Sequence, residues 1–169
     1  MPVERIGGTA ERAIASVLGQ QAPFPFELII VSAEPLPVQA GVRNVVEPNR
    51  NPATRRNRAV SEAAAEILAF IDDDAFARPD WLAKAVGYLH EHPGVVAVGG
   101  PDPAPADATI AELFADTVLS APLIGSGVAA HESRPGVFDI KRPTDLALVN
   151  LFVRRTAFLG FDESIGYIG

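Results

Sequence analysis

The sequence predicts an α/β fold, an open and mostly parallel sheet with helices on both faces, and three observations carry the prediction. Apolar runs of strand length alternate with segments of helical periodicity through the first hundred residues. Pro and Gly breakers separate them. One run, Ile67, Leu68, Ala69, Phe70 and Ile71, passes directly into Asp72, Asp73 and Asp74, and an open α/β sheet binds its ligands at the carboxyl ends of strands.

The elements follow in order. Residues 10–19 carry apolar side chains at Ala13, Ile14, Val17 and Leu18, a helical spacing, with Gly19 as the stop. Residues 26–31 read as a buried strand, entered through Pro23, Phe24 and Pro25 and left at Glu34 and Pro35. Residues 42–46 form a second short strand. Asn51 followed by Pro52 supplies an N-cap and a first-turn proline for a helix running to about residue 65, with Ala59, Val60, Ala63, Ala64 and Ile67 as its apolar stripe. After the acidic triplet, a helix begins at Arg78, Pro79, Asp80 and Trp81 and reaches about Leu89. A strand over 95–98 then closes at Gly99, Gly100 and Pro101. Beyond it, 110–119 is expected helical, 125–136 irregular and 146–153 a strand.

Composition narrows the chemistry. A chain of 169 residues is about one domain. Its formal charge of −7 argues against a nucleic-acid partner, which needs a basic face. With no Cys there is no disulfide, no thiolate metal site and no Cys nucleophile, which suits a cytoplasmic protein. No apolar run is long enough to span a bilayer and the N-terminus lacks a signal-peptide pattern, which leaves peripheral attachment to the inner face of a membrane open. His90 and His92 fall near a helix end, where they suit the dipole, and His131 has no second ligand at metal spacing.

The triplet reads as a cation site. In an extended segment Asp72 and Asp74 share a face and Asp73 points away. Crowded carboxylates raise one another's pKa, and hard oxygen ligands suit Mg2+, Mn2+ or Ca2+. Because Mg2+ is held by one or two carboxylates with substrate phosphates completing its shell, a phosphate-bearing partner is expected. Arg55, Arg56 and Arg58 in the first turn of a helix point the same way, since cations there oppose the macrodipole unless an anion is present.

Arg56, Asn57, Arg58 and Ala59, then residues 66–74, then Pro79, Asp80, Trp81 and Leu82 resemble a family-2 glycosyltransferase. Gly99, Gly100 and Pro101, and Arg154 and Arg155 followed by residues 160–163, resemble that family's later landmarks. The resemblance implies the GT-A fold, a Rossmann-like domain that binds a nucleotide-diphosphate sugar with a divalent metal, Mn2+ or Mg2+. It further implies transfer of the sugar, with inversion, to a hydroxyl of a carbohydrate or lipid-linked acceptor. On that basis Asp74 and Asp72 are the metal residues, Asp72 also serving the ribose. Arg56, Asn57, Asp72, Asp73, Gly100 and Glu34 are the substrate-side residues. Residues 1–169 form a single domain, with 1–101 the nucleotide-sugar half and 102–169 the acceptor half. The family's first strand and its catalytic base are expected to lie outside the chain, before Met1 and beyond Gly169. An exposed sheet edge, and self-association through it, would follow. Two other readings stay open. One is a domain that binds a nucleotide sugar without turnover. The other is a Mg2+-dependent phosphatase of the haloacid dehalogenase type, against which Phe76 stands where Thr or Val is expected.

Overall fold

The computed structural model describes residues 1–101 and 146–165, together with residues 104, 108–110 and 113. Helix α1 (Thr9–Leu18) buries Ala10, Ala13, Ile14 and Val17, an i, i+3, i+4, i+7 stripe. Strand β1 (Leu28–Ser32) is buried at every position, as expected of a strand covered on both faces. Strand β2 (Val42–Val46) lies parallel to it, Leu28 opposite Val42 and Ser32 opposite Val46. Helix α2 (Pro52–Glu62) opens as predicted, with Asn51 Oδ1 accepting from the Ala53 N–H at 2.8 Å and Pro52 in the first turn.

Helix α2 ends about three residues earlier than its pattern implied. Ala63 is extended, the Ala64 N–H donates to Glu27 Oε1 at 2.7 Å, and the Ala63 carbonyl accepts from Arg155. Side chains from elsewhere take the backbone groups that a further turn would have used. Ala64 is therefore exposed and Ile67 belongs to strand β3 (Ile67–Phe70). Helix α3 (Trp81–Glu91) and strand β4 (Ala97–Gly99) follow. The strand expected over 146–153 is shorter, a 3-10 turn at Leu148–Asn150 and then β5 (Leu151–Arg154). Ile110 and Leu113 are helical; the rest of the helix predicted at 110–119 and the segment 125–136 with His131 lie outside the described residues.

Helices cover both faces of the strands. Leu28 and Ile30 of β1 pack with the α1 stripe, while Ile29 and Val31 pack with Ala59 of α2 and with Ala63 just past its end. Leu68 and Phe70 of β3 meet Val60 and Ala63 on the α2 side, and Ile67 joins Leu82, Leu89 and Phe152 on the α3 side. The period-2 alternation of each strand sends successive side chains to opposite helices.

The described strands make two sheets rather than one. β1 and β2 form a parallel pair, and β3, β5 and β4 form a second sheet in that order with both pairings antiparallel. Parallel pairing therefore holds for β1 and β2, whereas β5, which reaches the sheet after the long segment following β4, inserts between its neighbours in the reverse direction. Residues 1–3 extend the parallel sheet: Pro2 bridges Val31, the Val31 N–H donates to the Met1 carbonyl at 2.9 Å, and the Val3 N–H donates to the Val31 carbonyl at 2.8 Å.

Two arginines lock the helices to β5. Arg154 donates to the carbonyls of Leu89, in the last turn of α3, and of Val95, in the segment between α3 and β4. Arg155 donates to those of Val60 and Ala63 at the end of α2. A cation at a helix C-terminus satisfies orphan carbonyls and complements the dipole.

Candidate functional site

β3 delivers the triplet to the surface and then stops. The strand ends at Phe70, and the Ala75 N–H donates to the Asp72 carbonyl at 3.3 Å, so residues 72–75 form a turn. The alternation that would have set Asp72 and Asp74 on one face therefore does not extend past Ile71. Asp74 is exposed, whereas Asp73 is half-buried and its carboxyl is held above the usual range, chiefly by burial and then by the charges of Asp74 and Asp72. Among the described residues no group of three His, Cys, Asp or Glu converges to hold a metal. Mutually repelling carboxylates without a closed cage fit a divalent cation held by one or two of them and completed by a ligand's oxygens.

The arginines of α2 face inward. Arg56 Nη2 donates to Asp72 Oδ1 at 2.6 Å. Arg55, 3% exposed, meets Glu4 Oε1 at 2.6 Å and the Asn49 carbonyl at 2.9 Å, and Arg58 meets Glu62 one turn on at 2.8 Å. The helix-start cations expected to await an anionic ligand are thus each met by a carboxylate of the chain itself. Arg56 is the one among them that reaches the triplet.

Beside Asp73 lies a concavity of about 490 Å3, whose other walls are residues 4–10. This loop joins residues 1–3 to α1, and Gly7 and Gly8 give it its shape with φ of 150° and 55°, backbone conformations that side chains disfavour. Gly8 caps α1 without a side-chain bond, so first-turn N–H groups of the helix face this region without a capping side chain. The α-amino group of Met1 donates to the Ile29 carbonyl at 3.1 Å. Its pKa is lowered to about 5, first by burial and then by Arg56, against the opposing influence of Asp72 and Asp73.

The first turns of α2 also hold the chain's last described segment. Asn57 Oδ1 accepts from the Phe161 N–H at 2.8 Å, and its Nδ2 donates to the Phe161 carbonyl at 2.9 Å and to Glu163 Oε1 at 2.7 Å. Thr54 donates to Glu163 Oε2 at 2.9 Å, and Asn51 Nδ2 donates to the carbonyls of Glu163 and Ile165. These bonds from Asn57 and Thr54 hold the Glu163 carboxyl below its ordinary range. Asn57, expected to touch substrate, has its amide committed to this segment. The role of Glu163, Thr54 and Asn51 was missed in the sequence, although polar residues at 51, 54 and 57 recur every three positions along one helix face.

Of the predicted residues, Arg56, Asp72, Asp73 and Asp74 come together, with Asn57 one position along α2. Glu34 is exposed past the end of β1, and only its backbone carbonyl is bonded, to Ser32 Oγ at 2.6 Å. Gly100 lies against Asn150, whose Nδ2 would stand 2.8 Å from an added Cβ. Neither Glu34 nor Gly100 makes a described contact with the triplet. Asn150 itself accepts from Trp81 Nε1 at 2.8 Å and donates to the Pro101 carbonyl at 2.9 Å. Gly100 is small because this bridge passes through its place.

Residues 4–113 match the family described as Glycosyl transferase family 2. A stretch of 52 residues is 38% identical to a glucosyl-dolichyl phosphate glucuronosyltransferase of Haloferax volcanii, covering 31% of this chain and 17% of that protein. Two solved structures share the fold. One is S. aureus TarS, with a TM-score of 0.61 and 16% identity, covering 99% of this chain and 50% of that one. The other is the mannosyltransferase PcManGT from Pyrobaculum calidifontis in complex with GDP-Man and Mn2+, with a TM-score of 0.59 and 20% identity, covering 98% and 47%. The chain thus spans about half the length of these structures. The GT-A architecture implied by the resemblance is the one observed, and the family match leaves the phosphatase reading without support.

Proposed function

The chain belongs to Glycosyl transferase family 2, and from that premise we propose that it is the donor-binding part of an enzyme that transfers a sugar, with inversion, from a nucleotide-diphosphate sugar to an acceptor hydroxyl. The observation that carries this reading is the meeting of Asp72, Asp73 and Asp74 with Arg56 beside the concavity of residues 4–10. On this reading 1–101 is the nucleotide-sugar half of one domain and 102–169 the acceptor half.

Asp74 would hold the metal, and Asp72, held by Arg56, would contribute to the metal shell or meet the ribose. A divalent metal bound there, Mn2+ or Mg2+, would neutralise the charge developing on the diphosphate leaving group. Asp73 shapes the wall where the nucleoside lies against residues 4–10. Asn57 acts at one remove, fixing residues 161–165 through Phe161 and Glu163 rather than by touching the donor. Glu34 and Gly100 have no role in donor binding that the described contacts support. The Mn2+ bound with GDP-Man in the Pyrobaculum structure supports a divalent metal. The dolichyl-phosphate-linked substrate named for the Haloferax enzyme favours a lipid-linked acceptor and hence work at the inner face of a membrane. Among the described residues no helix is long and apolar enough to cross one.

The decisive experiment is a thermal-shift titration with UDP, GDP and dTDP, each with and without Mn2+, on the native chain and on Asp74→Ala. Stabilisation by one nucleotide that requires Mn2+ and vanishes in Asp74→Ala is the expected result. A folded protein that no nucleotide shifts would overturn the assignment. Binding without transfer in a chain extended at both ends would reassign it to a domain that holds nucleotide sugars without turnover.

A further inference from the structure

Beside its buried stripe α1 carries a second one that is polar: Arg12 and Ser16, with Gln20 just past the helix end, spaced four residues apart. Each reaches the chain that follows the acidic triplet. The Arg12 guanidinium lies 4.2 Å from the centroid of the Phe76 ring. Ser16 Oγ accepts from the Ala77 N–H at 3.0 Å and donates to the Ala13 carbonyl at 2.7 Å. Gln20 uses both ends of its amide. Its Nε2 donates to the Arg78 carbonyl at 2.7 Å and to the Ser16 carbonyl at 3.0 Å, and its Oε1 accepts from the Leu82 N–H at 2.9 Å. The Gln21 N–H adds a bond to the Pro79 carbonyl at 2.8 Å. Leu82 is the second residue of α3, and its N–H is one of the donors a helix start leaves unpaired. The N-cap residue Asp80 makes no capping bond and pairs with Lys84 at 2.7 Å instead. Gln20, from another helix, supplies the cap.

The turn at residues 72–75 has little of its own to hold it. Its closing bond, from the Ala75 N–H to the Asp72 carbonyl, is 3.3 Å long, past the usual range. Among the described residues none donates a hydrogen bond to the Asp74 side chain. Ala75, Phe76 and Ala77 pack on the α1 core, but apolar contact is non-directional and leaves the register to hydrogen bonds. We propose that Ser16 and Gln20 are positioning residues of the cation site: by fixing residues 77–82 on α1 they set where Asp74 stands relative to the loop 4–10 that opens the same helix. The inference rests on the reading of the triplet as the place of a divalent metal. One element thus carries the wall of the concavity at its N-terminal end and the anchor of the carboxylate turn along its flank. A site of one or two carboxylates depends on such placement, because binding groups must be held to within about 0.5 Å. The side chain at position 20 must donate and accept at once, which an amide does and a carboxylate does not.

The probe is Mn2+, its uptake read from the loss of the free-ion electron paramagnetic resonance signal, without nucleotide and with UDP, GDP or dTDP in excess. The native chain is compared with Ser16→Ala, Gln20→Ala and Gln20→Glu, and with Arg155→Ala as a control destabilised away from the triplet. Half-saturating Mn2+ should rise about tenfold in both Gln20 variants and severalfold in Ser16→Ala, since groups that orient a metal's ligands are worth about 10–100-fold in affinity. It should stay native in Arg155→Ala. Gln20→Glu separates positioning from stability. Its carboxylate still accepts from Leu82 and suits the start of α3, so its melt should stay native while its Mn2+ requirement rises. Amide exchange at residues 75–78 should quicken in Gln20→Ala. A native Mn2+ requirement in folded Ser16→Ala and Gln20→Glu would overturn the proposal, as would an equal rise in Arg155→Ala. If Mn2+ binds and no nucleotide alters its uptake, the donor reading fails while the variants still decide this one on Mn2+ alone. A native chain that takes up no Mn2+ under any of these conditions overturns both.

Discussion

Arg56 Nη2 and Asp72 Oδ1 stand 2.6 Å apart, joining the first turn of α2 to the turn that follows β3. The guanidinium side chain is 15% exposed and the carboxylate 35%, so the pair sits between a surface bridge and a core one. The contact aims one Asp72 oxygen inward and leaves the other for a ligand. Arg56→Ala should lower stability by only about 1 kcal/mol, given the solvent screening of Asp72. It should weaken Mn2+-dependent nucleotide binding by about tenfold or more, because an unguided Asp72 and an uncompensated triplet disfavour the bound geometry. Isothermal titration beside a urea melt separates the two effects; equal losses in both would mean Arg56 is structural only.

Asn57 is the tether of residues 161–165. Replacing it by Ala removes a reciprocal pair of backbone bonds and strands Phe161, a loss of about 1–3 kcal/mol if the segment stays packed and unpaired. Release of the segment is the cheaper response, so faster amide exchange confined to residues 161–165 is expected, with the melt little changed. Unaltered exchange there would show that the packing of Phe158 and Phe161 on Phe70 suffices without Asn57.

The Met1 amino group gives the fold a pH dependence. Its pKa falls from 8.0 to about 5 on folding, so between those values the unfolded chain binds the extra proton. Stability must then rise with pH from 5 to 8, by up to about 1.4 kcal/mol per unit. It should level off above pH 8. Urea melts across this range test it, with N-terminally acetylated protein as the control that loses this component of the slope. A slope identical in both forms would place the titration elsewhere.

Arg155 should matter more for stability than for binding. Arg155→Ala leaves the Ala63 carbonyl without its donor, while that of Val60 keeps the Ala63 N–H, at a cost of about 1–3 kcal/mol. Nucleotide affinity measured on the folded fraction should be retained, since no described contact joins Arg155 to the triplet. A tenfold loss of affinity at unchanged stability would contradict this.

The elements built on local signals were legible. The α1 stripe, the Asn51 cap with Pro52, and the apolar run ending in the triplet each follow from spacing within a few residues. The end of α2 was not, because Glu27, Arg155 and Arg43 meet its last backbone groups from distant positions. The first-turn arginines misled for a related reason. Their burden of positive charge called for anions, but nothing local revealed that Glu4, more than fifty residues earlier in the chain, supplies one of them.

By itself the sequence determined the α/β alternation, the family, and the position of three carboxylates at a strand end, since each depends on neighbours within one or two turns. The tertiary structure alone decided that those carboxylates occupy a turn, that Arg56 grips Asp72 and Asn57 grips Phe161 and Glu163, and that β1 and β3 fall in separate sheets. Strand order and side-chain partnerships bring together residues separated by up to about a hundred positions, and no local periodicity encodes which of many compatible partners the packed core selects.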